Sequence, residues 1–210
     1  KLDTELLKRA LPLPRAEGVN FMFGCETELD RFGNLAIAPE SYGEFDFIVI
    51  PINHFHMEGF TLPPEDFNNV PSLARRWVER FHYVLDKPLP FHKVGLAHLT
   101  CELMATEYRT QHLEVVDFIS DTEYEKAFSR AAAAGAGIEL NFETFFDYSP
   151  AELERLLRPY RIAKACGCKF YFGTDAHHPA DFVRAKEKFE RVVDLLELSE
   201  DDKFKVELRR

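Results

Sequence analysis

No window of the 210 residues approaches the ~18 consecutive apolar positions that a membrane-crossing helix needs, which argues against a membrane partner. The opening Lys1-Leu2-Asp3-Thr4-Glu5 contains no apolar h-region, so a secretory signal is not expected. Cysteine is scarce, at Cys25, Cys101, Cys166 and Cys168. Cys166 and Cys168 stand too close for an ordinary disulfide, and no second pair completes a zinc set. Reduced, mostly buried thiols and a cytoplasmic location are therefore expected. Cations are outnumbered as well. Twenty-six Lys and Arg against 36 Asp and Glu leave a formal charge of −10, with no basic stripe, which disfavours nucleic acid as a partner. A Gly-x-Ser-x-Gly elbow and a Gly-x-x-x-x-Gly-Lys loop are both missing, so acyl-enzyme and nucleoside-triphosphate chemistry lose ground. There is no internal repeat and no low-complexity segment.

What is present reads as one globular domain over residues 1–210. The length suits a single sizeable core, and 46% hydrophobic with 30% charged residues is far from a disordered composition. Five short apolar runs have strand length: Val19–Cys25, Phe45–Ile52, Val94–Ala97, Gly137–Leu140 and Lys169–Gly173. Helical patterns lie between and after them. Ser72–Leu85 repeats Leu73, Trp77, Phe81 and Leu85 every four residues; Asp121–Ala134 follows Ser120 and stops at Gly135. Ser149-Pro150-Ala151-Glu152 is a capping box, opening a helix expected to kink or break before Pro159. A last helix is expected over Pro179–Leu198, with Phe182, Ala185, Phe189 and Val192 on one face. Thr4–Arg9 reads as the tail of a helix entered partway along. Strand and helix in alternation predict an α/β fold with parallel strands.

Chemistry-bearing residues gather at the carboxyl ends of these strands, where α/β proteins build their sites. The first strand runs into Gly24-Cys25-Glu26, the second into Asn53-His54, the third into His98, and the last into Thr174-Asp175-Ala176-His177. Asp175 and His177, two apart on an extended chain, would face the same side. Glu26, His54, His98, Asp175 and His177 make an imidazole and carboxylate set without thiolate, suited to Zn²⁺, Mn²⁺ or Fe²⁺. His54 is preferred over His56 because it follows the strand directly. Glu139 and Asn141 flank the fourth strand end, where orienting a water or ligand and ordinary strand-end hydrogen bonding are equally open.

Five stretches in this order resemble the PHP (polymerase and histidinol phosphatase) family of metal-dependent phosphoesterases. They are Gly24-Cys25-Glu26, Phe45–Val49 leading to His54, Gly95-Leu96-Ala97-His98, Ile138-Glu139-Leu140-Asn141 and Gly173–His177. The resemblance implies a distorted (β/α)7 TIM-like barrel that binds up to three metal ions at its strand ends. It also implies that Glu26 bridges two ions, with His54 and His98 completing one, Asp175 on the other, and His177 on a third. The family opens with a His-x-His at its first strand end, whereas this chain has no histidine before His54. The first two strands of the barrel are therefore expected to be missing from this chain, as in a fragment.

The implied activity is hydrolysis of a phosphoester on a small phosphorylated substrate by metal-bound hydroxide, the water being held by Glu26, Asp175 and His177. Hydrolysis of a C–N or C–O bond, as in amidohydrolase-type barrels, would use similar ligands, and a degenerate metal-binding module without catalysis is a third reading. A DNA exonuclease is disfavoured by the charge. His56, His92 and Asn141 are weak candidates for substrate contact. His82, His92 and His112 otherwise read as surface or boundary residues, and His178 as a loop residue. Phe142, Phe145 and Phe146 read as core or rim packing rather than a base-stacking platform. The segments Met57–Pro71 and Thr100–Phe118 are expected to shape the pocket.

Overall fold

A computed structural model describes residues 2–141 and 145–206. Five parallel strands form one sheet in sequence order: β1 Gly24–Glu26, β2 Phe47–Pro51, β3 Val94–Ala97, β4 Gly137–Asn141 and β5 Lys169–Gly173. Each lies inside or across an apolar run seen in the sequence, but the first run is strand only from Gly24 onward. Parallel neighbours require crossover connections. A 3-10 segment at Pro39–Glu44 lies in the β1–β2 connection, and the other three are supplied by α2 (Val70–Leu85), α3 (Gln111–Phe118) with α4 (Asp121–Ala134), and α5 (Pro150–Ala165), with α1 (Thr4–Leu7) before the sheet and α6 (Ala185–Leu195) after it.

Register sorts the side chains into two faces. Gly24 pairs with Phe47, Val49 with Gly95, Gly95 with Gly137, and Glu139 with Tyr171. Residues one position off this set, including Ile48, Ile50, Val94, Leu96, Ile138 and Leu140, are fully buried against the helical layer. At roughly 1.5–3 kcal/mol for each such side chain, this face carries much of the stability. Trp77 and Phe81 of α2 stack on each other and pack edge-on against Phe128 of α4, which closes the core behind the strands.

On the opposite face the sheet curls. The rings of Phe47 in β2 and Tyr171 in β5 meet at 5.0 Å although two strands separate them. Glycine permits this, since a Cβ on Gly95 would lie 2.5 Å from the Tyr171 ring. Phe204 fills the hollow from the chain beyond α6, and Lys203 bridges to Phe170 on the outer side of β5. The expected parallel α/β class holds, and a barrel is not shown by the described residues. They give a curved, open α/β sheet with β1 and β5 at its edges.

Several element ends depart from expectation, each for a local reason. The Asp3 side chain accepts from Leu6 N, so α1 carries its own N-cap and is not entered partway along. Asn69 caps α2 two residues earlier than the apolar stripe suggests. Segment α5 runs unbroken through the buried Pro159, held by packing on both sides and opened by the expected capping box at Ser149 and Glu152. The predicted last helix divides into a single turn at Pro179–Phe182 and α6, because Arg184 leaves helical geometry (φ −139°). Phe182 is consequently exposed, while Phe189 stacks on Phe172 and Val192 is buried. Capped by Ser120 and ended by Gly135 at φ 77°, α4 has the predicted bounds. Phe142 lies outside the described residues. Phe145 is core, and Phe146 is half-buried beneath Lys188 and Arg191, two cations that sequence proximity did not reveal.

Candidate metal centre at the strand ends

All five carboxyl ends of the strands open on one side of the sheet, and the chemistry-bearing residues collect there. Glu26 closes β1, His98 follows β3, Glu139 and Asn141 end β4, and Asp175 lies two residues past β5. His54 arrives from the turn after β2. Glu26 Oε1 stands 3.8 Å from His54 Nε2 and 3.9 Å from His98 Nε2, and the two imidazole rings are 4.7 Å apart. One ligand atom from each of the three residues lies within 4.8 Å of the others. Ligands at about 2.1 Å in a tetrahedron would stand roughly 3.4 Å apart, so this N, N, O set would need to draw in by a few tenths of an ångström or more to hold a divalent ion.

Burial tunes the members. His98 is 3% exposed in its side chain, and burial together with the neighbouring His54 pushes its imidazole down to about 4. It is therefore neutral at pH 7, with a lone pair to offer. The Glu26 carboxyl is raised, first by burial and then by Glu28 and Asp175, with His54 and His177 opposing. Carboxylates gathered around Glu26 make an environment that a cation relieves.

The backbone is strained at the same place. His98 (φ 56°) and Asp175 (φ 48°) both adopt the left-handed region, which costs a non-glycine residue on the order of 1 kcal/mol or more. Asp175 is thus not extended, and the alternation argument for pairing it with His177 fails. Both nevertheless act electrostatically on Glu26, and Asp175 also acts on His98 and Glu139. His177 Nδ1 donates to the Asp175 carbonyl at 2.7 Å, leaving Nε2 free.

Of the two histidines after β2, His54 joins the cluster. His56 is exposed and meets His54 edge-on at 5.4 Å. His92 lies at the other, amino-terminal end of β3, away from the cluster. His178 accepts from Ala180 N at 3.1 Å and caps the turn it begins. His82 is half-buried and shares a hydrogen bond with Arg130 at 2.9 Å. His112 is fully buried in α3, its Nε2 3.1 Å from the Tyr148 hydroxyl, which corrects its reading as a surface or boundary residue. Its neighbours Leu113, Val115 and Val116 are equally buried, because α3 is sandwiched between α2 and α5.

Glu139 is buried, and its Oε2 accepts from His98 N at 2.8 Å, fixing the left-handed turn that presents the imidazole. Two residues with partners in the cluster escaped the sequence reading. Glu28 Oε1 accepts from His54 Nδ1, and the buried Arg80 donates to carbonyls on either side of His54. Glu28 had a signal, since it sits two residues beyond Glu26 and shares its side of the chain; Arg80 had none.

Beside His98 and Asp175 opens a cleft of about 410 Å³. Arg109, Asn141, Phe146 and Tyr148 are among its lining residues. The first part of the segment expected to shape the pocket does line it, through Cys101, Glu102 and Leu103, whereas His56 and the loop before α2 border a separate, closely packed crevice. The four cysteines are free, with Cys25 and Cys168 buried. No helix among the described residues is long and apolar enough to cross a membrane. In comparison with known proteins, the chain matches no family model, no curated protein and no solved structure.

Proposed function

We propose that the chain is a metal-dependent phosphoesterase of the PHP type, holding divalent ions at the strand ends and hydrolysing a small phosphorylated substrate in the adjoining cleft. The convergence of Glu26, His54 and His98 on one point carries this reading. Zn²⁺, Mn²⁺ or Fe²⁺ in such a setting supplies a Lewis acid for a phosphoryl oxygen and an activated water. The chain's own part is to hold and orient. Glu26, His54 and His98 form one ligand set, and Asp175 and His177 extend it toward further ions. Glu139 fixes the backbone of His98, and the cleft bounded by Arg109 and Asn141 receives the rest of the substrate. The same reading takes the curled sheet as five strands of a (β/α)7 barrel.

Elemental analysis of the purified protein tests it. Glu26→Ala and Asp175→Ala should each lose metal while circular dichroism stays that of the wild type, and hydrolysis of an aryl phosphate should fall at least a hundredfold. Unchanged metal content in both variants would remove the proposal. Turnover of an amide or dihydropyrimidine panel in place of aryl phosphate would move the chain to C–N hydrolysis.

A further inference from the structure

Behind the candidate ligands lies a second layer of polar contacts. His54 Nδ1 faces Glu28 Oε1, and because a carboxylate only accepts, Nδ1 must carry the proton. In the neutral imidazole this tautomer places the lone pair on Nε2, on the side of Glu26. The other Glu28 oxygen, Oε2, is buried with no hydrogen-bond partner among the described residues, and so is Arg80 Nη2. Of the charges that favour the Arg80 cation, Glu28 is the strongest.

Arg80 is itself 5% exposed and is consumed by backbone. Its Nε donates to Ile52 O at 2.7 Å, and its Nη1 to Leu29 O at 2.9 Å and Thr61 O at 3.1 Å. These carbonyls belong to the residue after Glu28, the residue two before His54, and the threonine whose hydroxyl donates to the His54 carbonyl. One guanidinium from α2 thus ties together the segments that carry Glu26, Glu28 and His54. A buried guanidinium is costly unless it is fully engaged, and its loss would orphan three carbonyls at once.

We propose that Glu28 and Arg80 are positioning residues for the metal centre: Glu28 sets the tautomer and ring orientation of His54, and Arg80 anchors the backbone of the turns that carry Glu28 and His54. This rests on the metal-site reading given above. Hydrogen-bonded carboxylates behind histidine ligands typically govern 10–100-fold in metal affinity.

The test uses the full chain and Co²⁺ alone as probe. In the metal-free wild type at pH 8, ¹⁵N–¹H imidazole correlations should show His54 protonated at Nδ1. Glu28→Ala should turn it into a mixture dominated by the Nε2-protonated form and raise the Co²⁺ Kd roughly 10–100-fold. Glu28→Gln retains an acceptor, so it should keep the wild-type tautomer and lose less affinity than the alanine variant. Arg80→Lys, which cannot span three carbonyls, should weaken Co²⁺ about tenfold and change its visible absorption. A structural role alone would lower Tm in these variants without moving the tautomer. Wild-type tautomer and a Kd within about twofold of wild type in Glu28→Ala would overturn the assignment. If the wild type itself bound no Co²⁺, the metal reading would fall, and the tautomer comparison would still decide the Glu28–His54 pairing.

Discussion

Gly173 is a position where no side chain can enter, because a Cβ would stand 2.0 Å from Glu139 Oε1. Glu139 cannot swing aside freely. It is buried and holds His98 N, so yielding would break that bond. Gly173→Ala should therefore destabilise the fold by about 1–3 kcal/mol in urea unfolding, and should speed hydrogen exchange at the His98 amide. Wild-type stability together with wild-type exchange would contradict the packing described. His112 offers a residue-level pH test. Burial lowers its folded pKa below the ordinary ~6.5, so below that pH the unfolded chain takes up a proton that the fold refuses. Its contribution is fully present above about pH 6.5 and is lost as pH falls toward the lowered value. His112→Asn should flatten the fall of Tm between about pH 6.5 and 5, and superimposable profiles would refute the assignment.

At the scale of elements, capping decides where the helices begin. Ser120 Oγ accepts from Glu123 N while Glu123 returns a carboxylate to Ser120 N. Ser120→Ala should cost about 1 kcal/mol in thermal or chemical unfolding, with metal content unchanged, since α4 lies behind the sheet. A change in metal stoichiometry would mean that α4 communicates with the strand ends. Segment α2 does so directly, because Trp77 Nε1 donates to Leu99 O in the turn just after His98, and Arg80 grips the turns around His54. The apolar stripe of α2 is visible in the sequence. That an arginine on the same helix faces inward is not, because periodicity sorts apolar residues and says nothing of a buried cation whose partners are remote carbonyls.

For the molecule as a whole, the consequence of the proposed centre is linkage. Ions that bind the fold and not the unfolded chain stabilise it by about 2.7 kcal/mol at a hundredfold excess over Kd. Mn²⁺ or Zn²⁺ should raise the Tm of metal-depleted protein by several degrees, and EDTA should reverse the rise. A Tm indifferent to both would place the cluster outside metal chemistry. With 36 acidic residues against 26 basic ones, the fold carries self-repulsion that a bound cation relieves where the carboxylates are densest.

Legible in the amino-acid sequence were the strands in outline, the parallel α/β class, the capped bounds of α4, and Glu26, His54 and His98 as members of one group. Each rests on local signals: apolar run length, capping chemistry, and the placement of a ligand directly after a strand. Tertiary structure alone decided the rest. The curl that brings Phe47 onto Tyr171 depends on Gly95, which leaves room for a ring two strands along in pairing order. The continuity of α5 through Pro159, the burial of His112 and the engagement of Arg80 all come from neighbours distant along the chain. The left-handed backbone of Asp175 was likewise announced by no local pattern. Local patterns carry backbone preference and polarity, whereas the direction in which a side chain points at a strand end is set by what the fold packs against it.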